Sequence, residues 1–573
     1  MNQEQIFNML RTEEHQYLEC KTADGKVPNS VWETYSAFAN TEGGLILLGV
    51  AETDAAPPRK FQITGVKKAT KMVRDLWNTV NNPTKVSRNV LSGRDIGVTP
   101  IDGSDIIWIQ VPPVPYRDRP VYRGTNPLTG TYKRNSEGDY HCTEEEVRAM
   151  LRDSQPDAEP VLRKEYTLDD LDPASVEAYR VQFRATRAGH TWANLPDKDF
   201  LRMLHACVED SAAGQPKLTA AGLLMFGKGI HVSTEFPGLK LDYFDKSQLA
   251  PGTRWRDRLT YDGTWEYNLY NYVFSVLPRL MQGLAQPFQM DGIVRVDDTP
   301  VHKAVREAVI NTIVHCDFHL TGSLSVTKDD HGFHFRNPGP PLIPISDIYA
   351  GGETVTRNRW LQTMFRMIGY GEGAGSGFPL ILEVWRKHGW RLPDISENRS
   401  LHATDLRLWT LPSASADLER AASQAVAGYD ALSYQERTVV MTLIAETSAT
   451  TERFTYVLGR ARSETQDLLT ALKARGILRL DPAERWILEP NAGRTAPQSG
   501  GANRATDSKQ SIQALLARSP QMSTRQIAGA IGQSERSVQR VLRELLDTGS
   551  VRRTRTGNAV TYSLTETHLE AKL

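Results

Sequence analysis

The chain has 573 residues, with 68 Lys and Arg balanced by 68 Asp and Glu, so its net charge is zero. That length suits roughly three to five domains of ~100–200 residues, and the charge balance excludes a globally basic nucleic-acid coat; any basic surface must be local. Four isolated cysteines with no CxxC pair argue against a disulfide scaffold or a zinc module.

The opening MNQEQIFNML is too polar for a secretory signal, and no apolar run approaches membrane-spanning length, so a cytoplasmic protein without membrane contact is expected. Residues 1–155 mix helix and strand. The run LILLGV at 45–50 reads as a buried strand following a helix that ends at Thr41-Glu42-Gly43-Gly44, and IIWIQV at 106–111 reads as another. A helix opening at Thr143, with acids in its first turn, closes this segment. It carries acids at Glu13, Glu14 and Glu19, Lys21 beside them, and Glu52 and Asp54 just after the first strand. Carboxylates on adjacent elements would hold Mg²⁺ or Mn²⁺ for phosphodiester cleavage, with Lys21 stabilising developing charge; a solvated charged face is the competing reading.

Residues 166–295 carry core signals but no site. Residues 296–411 contain VREAVINTIVHCDF, where Glu307, Asn311 and His315 recur at i, i+4 and i+8 on one helical stripe. Such a stripe would hold a hard cation and polarise a water, or would be the solvated edge of an amphipathic helix. Asn337-Pro338-Gly339 follows, and then the loop GYGEGAGSG (369–377) runs into an apolar helix, an arrangement that lets backbone approach a phosphate at a helix start. A turn that merely needs positive φ is the alternative there.

After a small polar linker, residues 430–490 read as three helices and a hairpin, opening with a Ser433/Glu436 capping box. A tether-like stretch (491–509) leads to residues 509–566, which repeat the plan with a Gly549 helix stop and a hairpin about Gly557-Asn558. Three helices and a wing spell a winged helix-turn-helix. Arg536, Gln539, Arg540 and Arg543 face away from the apolar stripe of its third helix, where a major groove would be read. Between residues 511 and 557, eight arginines meet three acids, a local excess able to neutralise phosphates. A dimerisation module is the competing reading.

The ECK of Glu19–Lys21 with AFANTEGGLILLGV resembles the Schlafen AlbA-type domain. The block REAVINTIVHCDF, RNPGPP, TRNRWL and GEGAGSGF resembles the RecG-like C-terminal domain of regulators related to the GHKL ATPases. The implied fold class is multidomain α+β: a Schlafen AlbA-type α/β domain (1–155), an α+β connecting domain (166–295), a GHKL-like α/β sandwich (296–411) and two winged-helix domains. The resemblance implies ATP with Mg²⁺ at the central domain, with Asn311 as the metal-binding amide and Glu307 as the water-activating acid. It places Asn337 and Gly339 at the adenine-side turn, where the GHKL family usually has an acid, and Gly373, Gly375 and Gly377 in the phosphate lid. In nuclease-active Schlafens two Glu and an Asp bind the metal. Glu14 and Glu19 match the first two, and Glu52 by position or Asp54 by chemistry matches the third. The expected protein is an ATP-binding, homo-oligomeric regulator of DNA or structured RNA. The alternative is a metal-dependent endonuclease, with antiphage defence as one setting.

Overall fold

The computed structural model describes residues 1–573 apart from 11–16, 54–60, 136–137, 156–161, 163, 210–215, 283, 285–289, 292–293, 296–298, 353–354, 372–376, 400, 414, 482–484, 491–511, 514, 517–520, 532–534, 548, 557–558 and 566–573. It divides into two compact units, Met1–Pro490 and Asn491–Leu573.

The first unit begins with α1 (Gln3–Leu10), β1 (Leu18–Lys21), α2 (Val31–Asn40), β2 (Gly44–Leu48) and β3 (Val50–Glu52). After α3 (Ala69–Val80) come the antiparallel pair β4 (Ile96–Ile101) and β5 (Ser104–Val111). A four-stranded sheet runs in the order β1-β2-β5-β4, with β1 and β2 parallel. The expected buried strand at 45–50 is unbroken in its apolar character because both faces of the sheet are covered. Ile46 and Leu48 pack with Phe38 and Met72 from the two helices, whereas Leu45 and Leu47 pack with Ile6 of α1 on the other side. A hairpin of β6 (Tyr132–Asn135) and β7 (Gly138–His141) lies against α2, and α4 (Glu144–Asp153) follows with a Thr143/Glu146 capping box.

The segments 166–295 and 296–411 share one sheet and one hydrophobic core. Six strands run in the order β9 (Asp257–Leu259), β8 (Leu239–Asp245), β10 (Gly322–Asp329), β11 (Gly332–Pro338), β13 (Ala403–Trp409), β12 (Asp394–Asn398), and the β8–β10 pairing ties the two segments together. Leu239, Leu241 and Tyr243 alternate inward, as do Leu324 and Val326, onto helices that include α5 (Leu269–Met281) and α6 (Pro300–Val314). Thr299 caps α6 through the backbone N–H of His302, with Pro300 in its first turn. Two more helices complete the layer, α7 (Arg359–Met367) and α8 (Gly377–Lys387).

Next come α9 (Tyr434–Glu446), α10 (Thr451–Leu458), α11 (Arg462–Ala474) and a short hairpin, Leu478–Leu480 with Trp486–Leu488. Buried charge fastens this group to the central sheet. Arg453 donates to Glu446 (2.7 and 3.1 Å) and to the carbonyls of Leu392 and Pro393, just ahead of β12. The second unit holds α12 (Thr524–Ile531), α13 (Glu535–Asp547) and a hairpin, Val551–Thr556 with Ala559–Leu564. Its core gathers Ile527, Val538, Val541, Leu542, Leu545 and Tyr562. No helix among the described residues is long and apolar enough to cross a membrane.

Candidate functional site

On β1, Glu19 and Lys21 stand two residues apart and therefore on one side of the strand. The Lys21 ammonium donates to Glu19 Oε1 (2.6 Å), and Arg134 from β6 lies 2.9 Å from Glu19 Oε2 and 2.8 Å from Asp139 Oδ1 on β7. Thr34 of α2 donates its hydroxyl to the same aspartate. Arg134 is 2 % exposed, lies over the Phe38 ring and donates to the Leu18 carbonyl. Both oxygens of Glu19 thus face cations, Oε1 towards Lys21 and Oε2 towards Arg134. Glu52, at the end of β3, lines an open cleft of about 320 Å³ with Lys21, Cys20, Thr22, Pro28 and Ser30. Glu14 and Asp54 lie outside the described residues, and among the described ones no three His, Cys, Asp or Glu side chains converge as metal ligands. Arg134 and Asp139 were not expected from sequence. They sit over a hundred residues from Glu19, and only the hairpin's packing on α2 brings them there.

The AFANTEGG stretch is largely a structural device. Asn40 is buried; its amide donates to the carbonyls of Val121 (2.7 Å) and Tyr132 (3.0 Å), and its oxygen accepts from the Val121 N–H (2.8 Å). Gly43 has φ +76°, and a Cβ there would meet Val111 O and Pro113 Cδ at 2.7 Å. Glu42 reaches away from its own domain. It accepts from the Tyr17 hydroxyl (2.7 Å) and pairs with Arg462 of α11 (2.8 Å) and Arg399 (3.5 Å).

In the central domain the expected pocket residues fall into two groups. Glu307 and Asn311 of α6 meet Gly377, the first residue of α8. A Cβ on Gly377 would lie 2.1 Å from Glu307 Oε1 and 3.1 Å from Asn311 Nδ2. Carboxylate and amide oxygen are suitable donors for Mg²⁺, and the helix start suits a phosphate. As arranged, the start of α8 lies directly against the Glu307 carboxylate. Gly373 and Gly375 lie outside the described residues.

His315 belongs to the second group. The helix ends at Val314 and His315 is its C-cap, so the stripe stops at Asn311. Burial and the neighbouring Arg357 guanidinium push the His315 imidazole down to about 4, so the side chain is neutral near pH 7. Arg357 bonds both oxygens of Asp153 in α4 (2.9 and 3.0 Å) and the His315 and Pro340 carbonyls (2.6 and 3.2 Å). Gly339, at φ +98°, makes room for it, since a Cβ there would fall 2.7 Å from Arg357 Nη1. Asn337 is buried and donates to the Pro338 and His315 carbonyls. This turn therefore seats an arginine that ties α4 to the central domain. Beside it, Arg152 of α4 bonds Asp317 (2.7 Å).

In the second unit Gln539, Arg540 and Arg543 are exposed on α13, opposite the buried Val538, Val541, Leu542 and Leu545. Arg552 and Arg553 are exposed on the following strand. The side chain of Arg536, in the same helix, lies outside the description.

Among solved structures, the DIP2311 protein of Corynebacterium diphtheriae aligns over 98 % of both chains at 16 % identity and a TM-score of 0.33. The N-terminal domain of a RecG-related protein from Nitrosomonas europaea aligns over 24 % of this chain and 92 % of its own, at 24 % identity and a TM-score of 0.19. Lactococcus lactis ZitR aligns over 12 % of this chain and 55 % of its own, at 26 % identity and a TM-score of 0.11. No curated protein matches the chain. Residues 148–242 match a domain of unknown function, DUF8451. Residues 14–143 match the Schlafen, AlbA_2 family, so the chain carries a Schlafen, AlbA_2 domain at the segment that holds Glu19, Lys21, Asn40, Glu42 and Arg134.

Proposed function

We propose that this protein is a nucleic-acid-binding regulator whose C-terminal unit is a winged helix that reads duplex DNA. The observation that carries the reading is the exposed Gln539, Arg540 and Arg543 on the outer face of α13, continued by Arg552 and Arg553 on the hairpin. Arginines there would contact base edges and phosphates from within a major groove. The Schlafen, AlbA_2 match supports a role connected with nucleic acid for the N-terminal domain as well. Nucleotide binding at Glu307 and Asn311, in the manner of a GHKL pocket, belongs to the same proposal and requires Gly377 to move off Glu307. The test is duplex binding by the full chain, measured against salt with and without ATP and Mg²⁺. Arg540→Ala is expected to weaken binding and to lower the slope of log affinity against log salt by about 1. Equal affinity and slope in the variant would refute the DNA-reading assignment, and equal affinity with and without ATP would refute the coupling.

A second reading, metal-dependent cleavage at the N-terminal domain, draws support from the cleft beside Lys21 and Glu52. It is the weaker one because, of the residues it needs, only Glu19, Lys21 and Glu52 are among those described. Incubating the protein and Glu19→Ala with tRNA or DNA and Mn²⁺ separates the two; cleavage lost in the variant would favour the enzyme.

A further inference from the structure

Helices cover one face of the central sheet, and the alternate residues of its strands look the other way. On β8 the buried Leu239, Leu241 and Tyr243 alternate with exposed Lys240 and half-buried Phe244, and exposed Lys246 follows. The pairing registers carry this outer face across five strands as a single row: Arg258, Phe244, Thr327, His334 and Arg407. With neighbouring strands about 4.8 Å apart, the row is roughly 19 Å long.

The two ends of the row differ in charge. On the β11 and β13 side the cations are matched, since Arg407 pairs with Asp329 (2.6 Å) and Asp405 takes both Arg336 (2.6 Å) and His334 (3.0 Å). At the β9 edge they are not. Lys240, Lys246, Arg254, Arg256 and Arg258 are exposed and form no ion pair among the described residues. Of the nearby acids, Asp257 pairs with Arg279 (3.0 Å), while Asp245, Asp242 and Asp262 accept from the hydroxyls of Ser247, Ser323 and Thr264 and keep their charge, Asp262 close enough to feel Arg258.

Two aromatic rings sit among these cations. Phe244 and Trp255 stand 6.2 Å apart at 47°, with the Arg258 guanidinium 4.9 Å from the Trp255 ring centre and the Lys246 ammonium 5.8 Å from that of Phe244. Both rings are half-buried and lie outside the hydrophobic core clusters. A core role therefore does not account for them, and the charges beside them suit a polyanion.

We propose that this edge of the central sheet binds single-stranded nucleic acid. Unpaired bases stack on Trp255 and Phe244, and the phosphates run past Lys246, Arg254, Arg256 and Arg258. Flat rings interleaved with unpaired cations favour a single strand, because duplex bases are already stacked on one another. The row has room for two or three bases, the number a sheet surface of this width accommodates. The inference shares the nucleic-acid premise of the proposed function but uses a different surface and a different form of the polymer.

The test uses the full chain and fluorescence anisotropy with labelled oligouridylate, oligothymidylate and a duplex, and with polyglutamate as competitor. Trp255→Ala is expected to weaken single-strand binding about tenfold, with Trp255→Phe restoring most of it. Arg256→Ala with Arg258→Ala is expected to lower the salt slope by about 1.4. Duplex affinity should be unchanged in both, whereas Arg540→Ala with Arg543→Ala should lose duplex binding and keep the single strand. A difference between the RNA and DNA arms identifies the natural polymer. The proposal falls if single strands do not bind, if Trp255→Ala binds as wild type does while retaining the same melting temperature, or if polyglutamate competes as well as oligouridylate. Failure of the wild-type chain to bind the duplex, with single strands still bound, would overturn the C-terminal reading and leave this one standing.

Discussion

Arg357 provides a quantitative test of how the N-terminal domain is coupled to the central one. Its side chain and that of Asp153 are each 10 % exposed, and the two form a bidentate pair. Asp317, 3 % exposed, lies close enough for the Arg357 charge to act on its carboxyl. Truncating Arg357 to alanine leaves Asp153 buried without its partner and removes the cation beside Asp317, a loss of about 3–5 kcal/mol. Removing Asp153 as well eliminates the stranded carboxylate. The double variant should then cost only about 1–3 kcal/mol, for the unpaired His315 and Pro340 carbonyls. The double variant is then about 2 kcal/mol less costly than Arg357→Ala alone, so the two single losses do not add. Because the first unit contains several packed domains, a single global midpoint would blur this. Hydrogen exchange in peptides from α4 (Glu144–Asp153) and β11 (Gly332–Pro338) reads the local opening directly. Arg357→Ala should accelerate exchange in both by at least a hundredfold, and Asp153→Ala/Arg357→Ala by much less. A change under fivefold in the single variant, or a double variant equal to the sum of the singles, would refute the idea of a buried interdomain latch.

Other consequences follow from the same geometry. Gly377→Ala adds a methyl group against Glu307 and should cost about 1–3 kcal/mol by thermal melting, with Glu307→Ala in the same chain relieving most of it. Asn40→Ala strands the Val121 N–H and the Tyr132 carbonyl, while the Val121 carbonyl keeps the Ser36 hydroxyl, and should destabilise the N-terminal domain by about 3 kcal/mol in a denaturant titration. His315 titrates near 4 when folded, below its ordinary value near 6.5. Protonation therefore favours the unfolded chain, and this contribution is complete above about 6.5 and lost as pH falls toward 4. A His315→Asn variant should show a flatter fall in denaturation midpoint across that window; an unchanged profile would refute the assignment.

How far the sequence could be read depended on the range of the interactions involved. Helix caps, the Thr143/Glu146 box, the buried strand at 45–50 and the fully apolar face of α13 are set by neighbours a few residues away, and the patterns that signal them are local. Glu19 and Lys21 stood out as a neighbouring acid and base in the chain, and the structure places them on one strand. Their partners Arg134 and Asp139 were not, because a hairpin far along the chain delivers them. The same limit explains the shared sheet of residues 166–411. The parallel pairing of β8 with β10 spans some eighty residues, and no short-range pattern announces it.

The turn at Asn337–Gly339 shows how a local pattern can be read correctly and still be open as to purpose. Its glycine is needed for positive φ and close approach, yet the group that approaches is Arg357 from the same chain. A ligand-binding turn and an arginine-seating turn demand the same residue types, so composition alone does not separate them. Glu42 makes the parallel case on the N-terminal side, where a motif acid serves an ion pair with α11 and with Arg399. In both places a sequence signature that looks like a site is an attachment point between domains. The edge at Phe244–Arg258, with its half-buried rings and exposed cations, by contrast carries no motif and became visible only when the sheet register brought Arg258 beside Phe244.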